Sequence, residues 1–195
     1  MKAMILAAGR GERMRPLTDH IPKPLLQANN KALIEYTITA LVKAGITDII
    51  INLAYLGTQI QNYLGNGSGY QAHIQYSPEE GTGLETAGGI KQALPLLGHD
   101  PFLVINADIY CDYPLQSLIN HPVDLAHLVL VNNPIHHTVG DFHINNYGLL
   151  NSTDLPKQTF SGIGVYRPEL FSTLPAGKAA LAPLLKQAMQ TQRIS

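Results

Sequence analysis

The chain has 195 residues, with 13 Lys and Arg against 14 Asp and Glu, a net charge of −1 and 45% hydrophobic residues. So balanced and sparse a charge set, 14% of the chain, excludes the broad basic surface of a nucleic-acid binder. The single cysteine, Cys111, excludes an internal disulfide and fits a reducing compartment, and no apolar run reaches membrane-spanning length.

In chain order, "AMILA" reads as a buried strand. The loop after it, "AAGRGERMRPLT" (7–18), combines two glycines with Arg10, Arg13 and Arg15. Five of the thirteen cations precede residue 24, a concentration suited to a compact polyanion such as a phosphate chain. Between Lys2 and Gly9 the apolar run is too short for a secretory signal, so a cytoplasmic location with no membrane partner is expected.

"ALIEYTITALVKAG" puts Leu33, Ile34, Ile38, Leu41 and Val42 on one helical face, with Gly45 as its C-terminal cap. "TDIIIN" is a second buried strand, followed by a helix over "LGTQIQNYLG". "YQAHIQYS" alternates as a third strand, and "ETAGGIKQALPLL" predicts a helix up to its proline. "PFLVINAD" is a fourth strand that runs to Asp108. Alternating strands and helices predict a mostly parallel, Rossmann-like sheet flanked by helices.

After residue 123 the pattern changes. "VDLAHLVLV", "DFHINNYGLLN" and "KQTFSGIGVY" read as antiparallel strands, with "NNYG" as a hairpin turn. "GKAALAPLLKQAMQ" reads as a closing helix. Ligands of open α/β sheets lie beyond the carboxyl ends of the strands. The first-strand loop (9–23), Asn52, the loop before Glu85 and Asp108 should therefore meet at one edge.

Two common phosphate motifs fail. The dinucleotide fingerprint needs a glycine where Met14 stands and an acid where Asn52 stands, and "AGKAA" lacks the hydroxyl residue of a P-loop. His136, His137 and His143 lack zinc-ligand spacing. Cys111 has no His or Cys near it in sequence and reads as a packing residue.

The stretch "LAAGRGERMRPLT…IPKPL" closely resembles the signature loop of the sugar-1-phosphate nucleotidylyltransferases, the NDP-sugar pyrophosphorylases. "LETAGGI" is similar to their nucleotide-contacting turn, and "INAD" to the strand end that carries their magnesium aspartate. "NNPIHHTVGDF" and "TFSGIGVYRPELF" are similar to the sugar-side strands of a compact bacterial branch. The resemblance covers essentially the whole chain. It implies one nucleotidyltransferase domain over 1–195, with 1–122 the nucleotide part and 123–195 the sugar-phosphate part. It also implies Mg²⁺ as cofactor and a nucleoside triphosphate and a sugar 1-phosphate as substrates. The branch resemblance favours UTP and N-acetylmuramic acid α-1-phosphate, a step of peptidoglycan recycling. Oligomeric state is left open.

The chemistry needs little beyond charge and aim. A sugar 1-phosphate, with its second pKa of about 6, is already an oxyanion near neutral pH, so no general base is required. Catalysis is positioning and charge neutralisation around in-line attack on the α-phosphorus. Gly9 and Gly11 then let backbone N–H groups approach the nucleotide, beside Glu12. Arg13 would hold the leaving β and γ phosphates, Lys23 would bridge the α-phosphate and the sugar phosphate, and Asp108 would hold Mg²⁺. Asn106 would orient the ribose. The resemblance further places Leu6, Ala7, Ala8 and the Glu85–Gly88 turn at base and ribose, and Asp141 and Gly162 at the sugar.

Two departures from the family pattern stand out. Ala107 replaces its usual glycine. The family's second metal aspartate lies in a tryptophan- and glycine-marked segment after the last core helix, whereas this chain has no tryptophan and reaches Ser195 just after that helix. A C-terminal segment is therefore expected to be lacking, with Asp108 facing an open cleft opposite a vacant position, and turnover poor. The alternatives are a mannose-1-phosphate or molybdenum-cofactor guanylyltransferase. From another class comes a catalytically silent nucleotide-binding regulatory subunit, against which the joint presence of Arg13, Lys23 and Asp108 weighs.

Overall fold

The computed structural model describes residues 1–79, 81 and 83–195. Its strands and helices in chain order are β1 (Ala3–Leu6), β2 (Gln27–Ala28), β3 (Lys31–Ala32), α1 (Leu33–Lys43), β4 (Asp48–Leu53), α2 (Gly57–Leu64) and β5 (His73–Pro78). There follow α3 (Glu85–Leu97), β6 (Phe102–Asn106), β7 (Ala126–Val131), β8 (His143–Ile144), β9 (Leu150–Asn151), β10 (Thr159–Tyr166) and α4 (Leu181–Gln190).

Six strands form the main sheet in the order β5-β4-β1-β6-β10-β7. The first four are parallel, and β10 and β7 add antiparallel. Successive strand residues point to opposite faces, and both faces are covered. Ala3, Ile5, Ile49, Ile51, Leu103 and Ile105 pack with α1 and α2. Met4, Ile50, Phe102 and Val104 pack with α3 and α4. Two-sided burial explains why these strands read as unbroken apolar runs. In α1 the buried positions are Ile34, Thr37, Ile38 and Leu41, while Leu33 and Val42 are half-buried.

The sequence-based boundaries shift in four places. α3 continues through Pro95 to Leu97. A proline there forfeits a single backbone bond two residues from the helix end, the Gly98 N–H closes on the Leu94 carbonyl at 2.9 Å, and buried Leu97 anchors the turn. β6 stops at Asn106, so Asp108 stands two residues beyond the strand. The 141–151 stretch pairs antiparallel as expected but over only His143–Ile144 and Leu150–Asn151, a two-stranded ribbon, β8–β9, separate from the main sheet. Its turn is as expected, with the Gly148 N–H donating to the Asn145 carbonyl at 3.0 Å. Finally, α4 starts at Leu181, because residues 177–180 are held against α3: the N–H groups of Ala87 and Gly88 donate to the Ala179 carbonyl at 2.9 and 3.1 Å.

Among the parallel strands the order reverses between β1 and β6, and a crevice opens there at the carboxyl ends. Leu6 is the register partner of both Asn52 and Asn106, which sets three predicted site residues side by side.

Candidate active site

Two adjoining cavities occupy that edge, of about 1010 and 590 Å³, sharing Leu6, Glu85, Thr86 and Asn106. The larger is lined by every residue from Leu6 to Met14 and by Lys23, Asn52, Glu85, Asn106 and Asp108. The predicted convergence of four strand ends is therefore present. Asp141 and Gly162 line the smaller cavity.

The loop after β1 is shaped by Gly11, whose φ of +65° is one that side-chain-bearing residues rarely adopt. A Cβ there would also lie 3.0 Å from Thr18 Cγ2 and 3.1 Å from Lys23 Cβ. Buried Thr18 donates its hydroxyl to the Gly11 carbonyl at 2.9 Å. This close approach brings the glycine loop and the lysine together.

The three arginines separate in role. Arg10 lies 5.1 Å over the Tyr55 ring, and Arg15 pairs with Asp19 at 3.3 Å outside the cavity lining. Arg13, in the one-turn 3-10 helix Glu12–Met14, has no ion-pair partner among the described residues and lines the cavity.

Lys23 opens a second 3-10 turn, Lys23–Leu25, between Pro22 and buried Pro24. Both prolines fix the backbone, so the ammonium swings from a rigid base. Its Nζ donates to Asp108 Oδ2, with the two side chains 26% and 30% exposed. The position opposite Asp108 is thus taken by Lys23, which corrects the expected vacancy. Two opposite charges this close neutralise each other until a ligand separates them.

Cations and carboxylates are equally represented around the larger cavity: Arg10, Arg13, Lys23 and Lys178 against Glu12, Glu79, Glu85 and Asp108. A polyphosphate reaching Asp108 therefore meets a like charge unless a cation lies between them. Glu85 begins α3 with a φ of +59° and stands on the ridge between the cavities. Such left-handed non-glycine positions are strained and collect at functional sites.

In the smaller cavity, Asp141 is held from two sides. Its Oδ2 accepts the Phe160 N–H at 2.8 Å and its Oδ1 lies 3.1 Å from His137 Nε2. Gly162 has a φ of +83°, and a Cβ there would stand 2.5 Å from Asn106 Nδ2, so the glycine admits the Asn106 amide. Tyr166 forms part of the wall; full burial pushes its phenol upward, and it stays protonated.

Gly88 does not line either cavity. A Cβ on it would collide with the Gly177 carbonyl and lie 3.1 Å from Ala179 N, both backbone atoms that cannot rotate aside. Gly88→Ala should lift the 177–180 segment and cost about 1–3 kcal/mol, read as a lower urea midpoint with unchanged m-value. An unchanged midpoint would mean the segment yields freely.

Glu79 and Lys178 were not singled out in the sequence, and Thr86 came only as part of the Glu85–Gly88 turn. Glu79 had a weak signal, an acid just past a strand end; Lys178 had none, since it arrives from a segment 155 residues after Lys23.

The nucleotidyl transferase family model matches residues 2–142. The N-acetylmuramate alpha-1-phosphate uridylyltransferase of Neisseria meningitidis serogroup B is 51% identical over 207 aligned residues, covering 100% of this chain and 88% of that protein. The mannose-1-phosphate guanyltransferase of Hypocrea jecorina is 43% identical over 122 residues, covering 61% of this chain and 33% of its own. Among solved structures, HddC of Yersinia pseudotuberculosis complexed with GMP-PN superposes with a TM-score of 0.78 at 23% identity, covering 93% of this chain and 83% of that one.

Proposed function

The chain belongs to the nucleotidyl transferase family, and from that premise we propose that it transfers UMP from UTP to N-acetylmuramic acid α-1-phosphate, releasing pyrophosphate. The observation that carries this is the pair of joined cavities at the switch point, with Arg13, Lys23 and Asp108 in the larger and Asp141 in the smaller. One suits a nucleoside triphosphate, the other a sugar, and Asn106 and Leu6 stand where the two substrates would meet. The uridylyltransferase likeness over the full chain supports the choice of base and sugar.

In this reading the division of labour follows the chain, residues 1–122 taking the nucleotide and 123–195 most of the sugar side. Leu6, Ala7, Ala8, Gly9, Gly11 and Glu12 follow the nucleotide, while Arg13 neutralises the β and γ phosphates that depart as pyrophosphate. Lys23 leaves Asp108 to sit between the α-phosphate and the attacking sugar phosphate. Asn106 and Glu85 face ribose hydroxyls, and Asp141 and Gly162 the sugar. Gly88 acts beneath the site by packing.

Among the described residues no cluster of three or more His, Cys, Asp or Glu side chains is placed to hold a metal alone. Asp108, on the lining of a cavity suited to substrate phosphates, fits Mg²⁺, which is commonly held by one or two carboxylates together with substrate phosphates, and would be the protein ligand. Bound there, Mg²⁺ would neutralise charge developing on the α-phosphate. No helix among the described residues is long and apolar enough to cross a membrane, and the small cavities favour small-molecule partners.

A panel of UTP, dTTP, GTP, CTP and ATP against several sugar 1-phosphates, read by pyrophosphate release, tests the proposal. UTP with N-acetylmuramic acid α-1-phosphate should give the highest kcat/KM. A preference for GTP with mannose 1-phosphate would overturn the substrate choice, and absence of turnover with every pair would favour a silent binding subunit.

A further inference from the structure

Glu79 is 7% exposed, yet it borders a cavity suited to polyanions. A carboxylate is a costly group to bury there, and its contacts show what it does. Glu79 Oε1 accepts from Asn52 Nδ2 at 2.6 Å, and Oε2 accepts the Leu84 backbone N–H at 2.6 Å. Asn52, 3% exposed, in turn accepts the Ala7 N–H on its Oδ1 at 2.8 Å. The path starts at Ala7, one residue past the last paired position of β1, and crosses the end of β4. From there it reaches the residue before α3, which no strand pairing ties to either strand.

The polarity of the path is determined throughout. Both Glu79 oxygens face donors, so the Asn52 amide must turn its NH₂ toward them and its oxygen toward Ala7. Gly89 makes room: a Cβ there would run into Glu79 Oε1 and lie 3.0 Å from Asn52 Nδ2. An apolar pair would fill the space equally well, but it would leave the N–H groups of Ala7 and Leu84 without acceptors.

We infer that Glu79 and Asn52 are positioning residues that set the distance between the Leu6–Gly11 side of the nucleotide cavity and the Leu84–Glu85 turn facing it. The inference rests on the nucleotidyl-transfer reading above. The two residues touch no reacting atom; they hold the backbone on either side of the nucleotide at a fixed separation.

Without a shared proton, the path has only one other way to satisfy every group. Glu79→Gln alone introduces a donor where two donors already point, and one of the two backbone N–H groups loses its acceptor. Asn52→Asp alone sets two carboxylates in contact, which hold together only by sharing a proton. The double variant reverses the polarity: the new amide at 79 donates to the new carboxylate at 52, and both backbone N–H groups regain an acceptor.

The test compares wild type, the two single variants and the double variant. Calorimetry with UTP, or with the triphosphate the panel selects, gives Kd. Pyrophosphate release gives KM and kcat, and NMR gives amide exchange at Ala7 and Leu84. Each single variant should raise the nucleotide KM by about tenfold or more. Glu79→Gln should also speed exchange at one of the two amides, whereas Asn52→Asp keeps an acceptor at each and should act through repulsion of the two carboxylates, eased as pH falls. The double variant should return KM to within about threefold of wild type with both amides again slow. A purely structural role would move the melting temperature without this reciprocal rescue of KM. Single variants with wild-type KM and exchange would overturn the inference, as would a folded double variant no better than the worse single. If a single variant does not fold, the double variant decides: near wild-type affinity supports the inference, and failure to fold or bind overturns it. If wild type turns over no substrate pair, the functional reading fails, whereas amide exchange still reports on the path.

Discussion

Asp108→Asn should lower kcat by about 10²–10³-fold while leaving the melting temperature within a few degrees of wild type. The asparagine keeps the size of the side chain and removes the charge that would hold Mg²⁺ against the α-phosphate. The backbone at this point does not depend on the carboxylate. Ala107 is 2% exposed, and its N–H donates to the Leu6 carbonyl at 3.1 Å, so packing and a main-chain bond already set the turn. The only partner of the carboxylate among the described residues is Lys23. With both side chains partly solvated, that ion pair contributes no more than about 1 kcal/mol. Kinetics at increasing Mg²⁺, beside thermal melting, separates the two effects. A variant that works at the wild-type rate would remove Asp108 from the metal site, and one that loses rate only through unfolding would do the same.

The mostly parallel sheet and the convergence of its strand ends were legible because they follow from local patterns, whereas the strand order was not. Ile49, Ile50 and Ile51 face alternate sides and are all buried, so an unbroken apolar run signals a parallel core strand directly. The loop glycines and Lys23 were legible for a similar reason, since Gly11 and the flanking prolines act on their own backbone. Features that depend on distant segments meeting were not. Gly88 looked like a nucleotide contact, but its lack of a side chain answers to the Gly177 carbonyl, which only the folded chain brings near. Pro95 looked like a helix end because its missing N–H is local, while the anchoring of Leu97 in the core is not. The Glu79–Asn52 contact joins residues 27 apart in sequence, and neither alone signals the other. Arg13 alone was given a role in the sequence, but what Arg10 and Arg15 do instead, stacking over Tyr55 and pairing with Asp19, came only with the fold.

Lys23→Ala should lower kcat by about 10²–10³-fold and weaken nucleoside triphosphate binding by less than about tenfold. The difference arises from what the ammonium faces at each stage. In the free chain it is already paired with Asp108, so binding the nucleotide exchanges one anionic partner for another and gains little. In the transition state the α-phosphate and the incoming sugar phosphate crowd the same point, and a cation between them offsets a repulsion absent from the binary complex. Lys23→Arg should not restore the rate. The planar guanidinium is larger and directs its donors in a fixed fork, whereas the rigid turn between Pro22 and Pro24 aims a slender side chain. Removing the lysine also frees Asp108 from its competitor, so the free variant should bind Mg²⁺ more tightly than wild type in a calorimetric titration without nucleotide. Together the three measurements give a pattern that loss of folding cannot imitate: lower kcat, nearly preserved triphosphate affinity and stronger cation binding. Abolished triphosphate binding with a high residual rate would reverse the assignment, making Lys23 an anchor for the nucleotide instead of a bridge between the reacting phosphates.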